Sequence, residues 1–408
     1  MRTVTLEQFG AALRGLPDNP RIVVSGNMAT PWEAVRALDE AVPRYVLHSL
    51  NGGRGLPERE GVVVETCFVG AGTRRHPGLR YVPSRLSLVP LLYARTLPPD
   101  VVLLHCAPPI DGQLSMGLEV NVLPAAVEAC RARGGMVVAV INARMPYTFG
   151  DGQLSVEHVD LAIEIDAPLL AHHPVAPDDD SLAIGDLVAS QIPDGATMQL
   201  GIGAVPDATL AALVGRRGIR LWTEMFSDGV LALDAAGALD PDQPLVTSFC
   251  FGTRELYDWI DRNPRVRMLR TEKTNDPGLI AQQRQMTSVN TALEVDLFGQ
   301  ANASRINGRI YSGFGGQTDF IVGALHSPGG QAFIALRSWH PRADCTTIVP
   351  LLDEPVTSFQ QSAVVTEHGI APLWGYDGRE QCRAIIEHAA HPSVRDELWE
   401  EAAALGLA

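Results

Sequence analysis

Val101-Val102-Leu103-Leu104-His105-Cys106 and, one helix length further on, Met136-Val137-Val138-Ala139-Val140-Ile141 are unbroken apolar runs rather than alternating ones. A strand with one wet face alternates apolar and polar residues. An unbroken run marks a strand covered on both faces, as in a parallel sheet. Between the two runs the pattern predicts a helix over 124–133, stopped by Gly134-Gly135. The same reading predicts strands at 21–25, 45–48, 101–105, 136–141 and 161–165, and a helix at 31–40. Strand and helix alternate, which is the pattern of a parallel sheet with helices on both faces.

A break follows residue 165. Ala171-His172-His173-Pro174-Val175-Ala176-Pro177-Asp178-Asp179-Asp180 is polar, acidic and Pro-rich, the composition of a linker. A helix is then predicted at 181–190, and a second α/β set from about 197 onward, with strands at 197–200, 245–249, 332–336 and 363–365. The expectation is two α/β domains, 1–180 and 181–408.

The chain's 408 residues suit two such domains. With 46% hydrophobic and only 19% charged residues, it has the material for packed cores, and disorder is excluded as its main state. The 32 Lys and Arg against 47 Asp and Glu leave a net charge of −15. No broad basic surface for nucleic acid or an anionic membrane is expected. Lys273 is the single lysine, so an anionic ligand has to be held by arginine, backbone N–H groups or helix N-termini. Cys67, Cys106, Cys130, Cys250, Cys345 and Cys382 form no C-x-x-C pair and read as reduced, buried thiols. The first residues lack the apolar core of a signal peptide, and no apolar run approaches a membrane span. A cytoplasmic protein is expected.

Glycine is concentrated at two strand-to-turn sites. Leu200-Gly201-Ile202-Gly203-Ala204-Val205-Pro206 would leave a strand and enter a helix, with Pro206 in its first turn. Free N–H groups there suit an anion or a carbonyl oxygen, although a tight turn accounts for the residues equally well. Tyr311-Ser312-Gly313-Phe314-Gly315-Gly316-Gln317-Thr318-Asp319 could form a nest of N–H groups or a plain turn, with Asp319 capping the next segment.

Between them lies Thr223-Glu224-Met225-Phe226-Ser227-Asp228-Gly229. Glu224, placed at a strand end among apolar neighbours, reads either as a structural acceptor or as a general base or carboxylate nucleophile. Glu294 and Asp296 share a strand face, and read as a capped or solvent-facing pair more readily than as a cation site. His172-His173 read as solvated, and Asn275-Asp276-Pro277 as a turn. The absence of H-E-x-x-H, Walker A and G-x-S-x-G motifs removes the common zinc, nucleotide and serine-hydrolase readings.

Taken in order, these segments resemble the acetyl-CoA hydrolase/transferase family, the branch of coenzyme A transferases that includes 4-hydroxybutyrate and butyrate:acetate CoA-transferases. The likeness runs through Gly26-Asn27-Met28-Ala29-Thr30-Pro31, Asp111-Gly112-Gln113-Leu114-Ser115, Asn142-Ala143-Arg144-Met145-Pro146-Tyr147 and both glycine loops. It continues through the Glu224 segment, Thr274-Asn275-Asp276-Pro277, Val365-Thr366-Glu367-His368-Gly369 and Ala390-His391-Pro392. The resemblance implies two CoA-transferase-type α/β domains with an active site in the interdomain cleft. It implies a glutamyl-CoA thioester on Glu224, with Asn275 as a polar neighbour. Gly201, Ile202, Gly203, Ala204 and Val205 would meet CoA, as would Ser312, Gly313 and Gly316. Gly316 and Ile202 would supply oxyanion-binding N–H groups.

CoA or acyl-CoA would be substrate, with no tightly bound cofactor and no metal. The partners would be short-chain carboxylates and a second copy in a homodimer. A hydrolase on the same scaffold and an idle CoA-binding protein are the alternatives. The chain departs from the family at 356–362, which lacks the usual arginine, and at Leu373-Trp374-Gly375-Tyr376, where basic residues are common. Met225, Phe226, Ile202 and Phe314 are expected to wall a dry pocket for a small acid.

Overall fold

The computed structural model describes residues 1–408 as two compact units. The first unit gathers Met1–His173, Leu245–Thr274 and Tyr311–Gly315; the second gathers Pro174–Pro244, Asn275–Ile310 and Gly316–Ala408.

The first unit is built on a sheet whose main path runs Arg2–Thr3, Leu161–Ile165, Met136–Asn142, Val101–Ile110, Arg21–Val24, Tyr45–His48, Val62–Thr66 and Leu79–Tyr81, each strand parallel to its neighbour. The unbroken runs predicted it. Val102 lies opposite Val137 and Leu104 opposite Ala139, and Leu103, Leu104, Val137 and Val138 are fully buried. Each such aliphatic side chain withdrawn from water contributes roughly 1.5–3 kcal/mol. Phe9, Leu13, Leu38 and Tyr45 complete the core on one face. The chain builds outward from Arg21–Val24 to Leu79–Tyr81, then returns to the other side with Val101–Ile110, so the sheet is doubly wound.

The second unit carries a smaller sheet in the order Arg220–Leu221, Thr197–Leu200, Met286–Asn290, Gln331–Ala335, Ala363–Thr366 and Gly369–Pro372, parallel except for the last strand. Met286, Phe320, Ile334, Val364 and Ile385 pack its core. Its entry helix, Asp179–Ser190, is capped by the Asp178 carboxylate, which accepts from Ser181 N–H at 3.0 Å.

The units differ from the two continuous segments, 1–180 and 181–408, that the linker suggested. Leu245–Thr247 was expected in the second α/β set, yet it pairs with Val266–Met268 inside the first unit. The reason is where this segment finds its backbone partners. Cys250 N–H donates to Leu118 O at 2.9 Å, Met268 N–H to Phe149 O at 2.8 Å, and Thr271 N–H to Asn121 O at 3.0 Å. Five of the six cysteines are buried as expected. Cys345 is exposed, because it sits in the short hairpin strand Cys345–Thr346 rather than in an apolar run. No helix is long and apolar enough to cross a membrane.

Candidate active site

In the second unit, Arg220–Leu221 and Thr197–Leu200 are adjacent parallel strands, so the loops that follow them leave the sheet at the same edge. One carries Glu224 and the other carries Gly201, Ile202, Gly203, Ala204 and Val205. Thr223 fastens them together: its buried hydroxyl reaches Leu200 O at 3.2 Å and Met225 O at 3.3 Å. A threonine donating sideways to the neighbouring strand end fixes the turn on which the next residue stands.

Glu224 is partly buried between buried Thr223 and buried Met225. Asn275 Nδ2 donates to its Oε2 at 2.8 Å. Asn275 is itself buried at the start of the turn whose next residue, Asp276, caps Pro277–Ala281 by accepting from Leu279 N–H at 2.7 Å. Gly316 closes the other side. A Cβ placed there would overlap both Glu224 Oε2 and Asn275 Nδ2, so only glycine brings its backbone this near the carboxylate. Its φ is −101°, so space, and not backbone conformation, demands the glycine. Gly316 also caps Gln317–His326, a helix whose first-turn N–H groups lack intrahelical partners.

Desolvation pushes the Glu224 carboxyl from its ordinary 4.5 up to about 7; the Asn275 hydrogen bond opposes this and the charge of Asp319 adds to it. Asp319, expected only as a cap, is buried in the first turn of that helix. The spacing from Gly316 to Asp319 marked a helix start, but nothing in the sequence aimed its charge at Glu224. A row of buried polar groups was likewise missed: Gln199 Oε1 accepts from Ser288 Oγ at 2.8 Å and from Asn290 Nδ2 at 3.2 Å across adjacent strands. Gln199 and Ser288 are register partners, a pairing that no local pattern announces.

The glycine loop is open over 201–203, and Ala204 and Val205, expected in the loop, begin the next helix. Nothing lies within 4 Å of a Cβ added at Gly201 or Gly203, and Gly203, at φ +123°, uses a conformation that other residues rarely adopt. The helix Ala204–Ala212 begins immediately after it, with Pro206 third in its first turn. Ile202 is 44% exposed, so it does not wall a dry pocket as expected, whereas Met225 and Phe226 are buried. Ser312 and Gly313 belong to the first unit, where Ser312 O accepts from Val69 N–H at 2.7 Å.

Other candidates resolve as structural. Asp296 accepts from the N–H groups of Phe298 and Gln300 at 3.0 and 2.9 Å, and Glu294 from Asn302 Nδ2 at 2.8 Å, so this pair is capped. His172 and His173 are exposed. No cluster of three or more His, Cys, Asp or Glu side chains is arranged to hold a metal ion.

A carboxylate held near neutrality, one amide donor and a backbone pressed against it form a site able to take an acyl group. The C-terminal domain of the acetyl-CoA hydrolase/transferase family matches residues 252–402. The 4-hydroxybutyrate coenzyme A transferase of Clostridium kluyveri is 35% identical over 423 residues, covering 98% of this chain and 97% of that protein. Among solved structures, the 4-hydroxybutyrate CoA-transferase from Porphyromonas gingivalis superimposes with a TM-score of 0.84 at 30% identity, over 99% of this chain and 98% of that one. RipA from Yersinia pestis gives a TM-score of 0.92 at 25% identity, over 100% and 98%. The chain belongs to the acetyl-CoA hydrolase/transferase family and is an enzyme of the CoA-transferase type.

Proposed function

We propose that the protein moves CoA between short-chain carboxylic acids by a ping-pong route through a glutamyl-CoA thioester on Glu224. The observation that carries this reading is the Glu224 carboxylate, raised to about 7 and backed by the Gly316 backbone. Ionised Glu224 attacks the acyl-CoA carbonyl. The carbon–sulfur bond breaks, leaving an acyl-glutamyl anhydride and the CoA thiolate. The thiolate then attacks the glutamyl carbonyl, the bond to the acyl carboxylate breaks, and the first acid departs. A second carboxylate runs the same steps in reverse, so each thioester is exchanged for another. CoA acts as substrate throughout.

The raised pKa assists the first step. A partly desolvated carboxylate is a poorly stabilised ground state, and forming a neutral anhydride or thioester removes the charge that desolvation penalises. Each attack creates an oxyanion. The N–H groups of Ile202 and Gly316 are its donors in this reading, and losing one such donor typically costs about 2.7–4 kcal/mol of transition-state stabilisation. Asn275 holds the Glu224 carboxylate in one orientation. Gly201 and Gly203, with Ala204 and Val205 in the first turn of the helix that follows, receive CoA. The open face at Gly201 and Gly203 supports this assignment.

Acetyl-CoA or butyryl-CoA with a panel of short carboxylates tests the reading, with new acyl-CoA followed by chromatography and free thiol measured separately. Acceptor-dependent exchange with parallel double-reciprocal lines is expected. Free CoA released at the same rate without any acceptor would make the protein a hydrolase instead.

A further inference from the structure

In the first unit, Val101–Ile110 and Met136–Asn142 are adjacent parallel strands, in register from Val101 opposite Met136 to Cys106 opposite Ile141. Both leave the sheet at its carboxyl edge. The first runs on through Ala107, where its pairing passes to Gln113–Ser115 and its last three residues are exposed. The second gives way to Ala143-Arg144-Met145-Pro146-Tyr147. Val101–Ile110 is also the strand at which the sheet reverses its winding. In doubly wound sheets, ligands bind outside the carboxyl ends of the strands at that reversal. These two segments, with the helix Arg254–Ile260 and the turn after it, line a cavity of about 380 Å³. That is within the size range of small-molecule sites.

The helical wall is tied to the rest. Tyr257, itself buried, donates its hydroxyl to Leu170 O at 3.0 Å. Asp261 Oδ1 accepts from Tyr147 N–H at 2.7 Å, and Arg262 N–H donates to Tyr147 O at 2.8 Å. Arg262 holds φ +52°, a left-handed conformation that residues with a side chain adopt rarely. Such strain persists only where the surroundings enforce it, and it gathers at ligand sites.

The lining combines an apolar base with cationic groups. Ala107, Met145 and Tyr147 are buried, and Pro108 and Pro109 add exposed apolar surface. Arg144, Arg254 and Arg262 stand against Asp258 and Asp261, a local positive excess in a chain of net charge −15. Each arginine meets its acid through Nε: Arg144 with Asp166 at 2.5 Å, Arg254 with Asp258 at 2.8 Å, and Arg262 with Asp261 at 3.6 Å. Both members of all three pairs are exposed. Exposed pairs hold weakly, so an incoming anion readily takes the place of the acid. The terminal nitrogens of the three guanidinium groups, the fork that binds an oxyanion in two-pronged fashion, donate to no protein group.

We propose that this cavity binds an organic oxyanion, a carboxylate or a phosphate ester carried on an apolar body. The guanidinium forks take the oxygens, and the base of Ala107, Pro108, Pro109 and Met145 takes the body. The site is built from first-unit residues alone and does not depend on the chemistry assigned to Glu224.

Calorimetric titration of the full chain with phenyl phosphate, benzoate and inorganic phosphate, without CoA, tests the proposal. One of the two aromatic anions should bind at a single site, and the tighter of them tells a phosphate ester from a carboxylate. Inorganic phosphate should bind at least about tenfold more weakly, since it leaves the apolar base uncovered. Arg144→Ala and Arg254→Ala remove exposed side chains and should fold. Each should weaken binding roughly tenfold through the loss of a hydrogen bond to a charged group. Ala143→Trp, at an exposed position, fills the cavity without changing its charge and should abolish binding. Arg36→Ala makes the same charge change on the exposed face of the helix Trp32–Ala41, and should bind as wild type, as should Glu224→Gln. No saturable binding of either aromatic anion up to about 10 mM would overturn the proposal. So would equal affinity for inorganic phosphate, unchanged binding in the two cavity arginine variants or in folded Ala143→Trp, or an equal loss in Arg36→Ala. Loss of binding in Glu224→Gln would place the anion at the acyl-transfer carboxylate and overturn it as well.

Discussion

Glu224→Gln should make the protein more stable at pH 8 and leave its stability nearly unchanged at pH 4. In the folded protein the Glu224 carboxyl is raised from 4.5 to about 7, mainly by desolvation. Between those values the folded state keeps a proton that the unfolded chain has released, so stability falls as pH rises through the window, and the whole penalty is present above pH 7. The rise from 4.5 to about 7, at about 1.36 kcal/mol per pH unit, amounts to about 3 kcal/mol. Glutamine keeps an oxygen to accept the 2.8 Å bond from Asn275 and carries no charge to desolvate. Urea unfolding of both proteins at the two pH values measures the difference. The variant should gain up to about 3 kcal/mol at pH 8, and the two curves should superimpose at pH 4, below both values. An equal effect at both pH values, or a loss at pH 8, would refute the placement of the raised carboxyl at Glu224.

The same group should shape catalysis. The kcat/KM profile should fall on the acid side with an apparent pKa near 7, since the protonated acid is no nucleophile. Asn275→Ala, which removes a hydrogen bond that favours the charged form, should move that limb to higher pH, and Asp319→Asn should move it lower. Gly316→Ala should cost at least about 100-fold in kcat/KM, because its Cβ would overlap Glu224 Oε2 and Asn275 Nδ2. A melting curve within a few degrees of wild type separates that effect from misfolding.

Much of the fold was legible because buried parallel strands write themselves as apolar runs. The strands at Tyr45–His48, Leu161–Ile165 and Thr197–Leu200 have the predicted limits. The exchange of segments between units was not legible. Nothing local in Leu245–Thr247 states that its partner is Val266–Met268 and that the pair belongs with the first unit. The same divide separates two kinds of information about the site. Glu224 and the glycine loops were visible as residue types in a pattern. Thr223 tying two strand ends and Asp319 acting on Glu224 are products of folding alone. Ile202 shows the cost of reading polarity without geometry: an apolar residue flanked by glycines stands exposed because the open loop offers nothing to pack it.

The covalent step on Glu224 is tested most directly by mass analysis of the Glu224 peptide after incubation with acyl-CoA. A CoA adduct on Glu224, which borohydride reduces to the alcohol, is expected, with no adduct or turnover in Glu224→Ala. Unmodified Glu224 during steady turnover, or substantial transfer by Glu224→Ala, would contradict the glutamyl-CoA route.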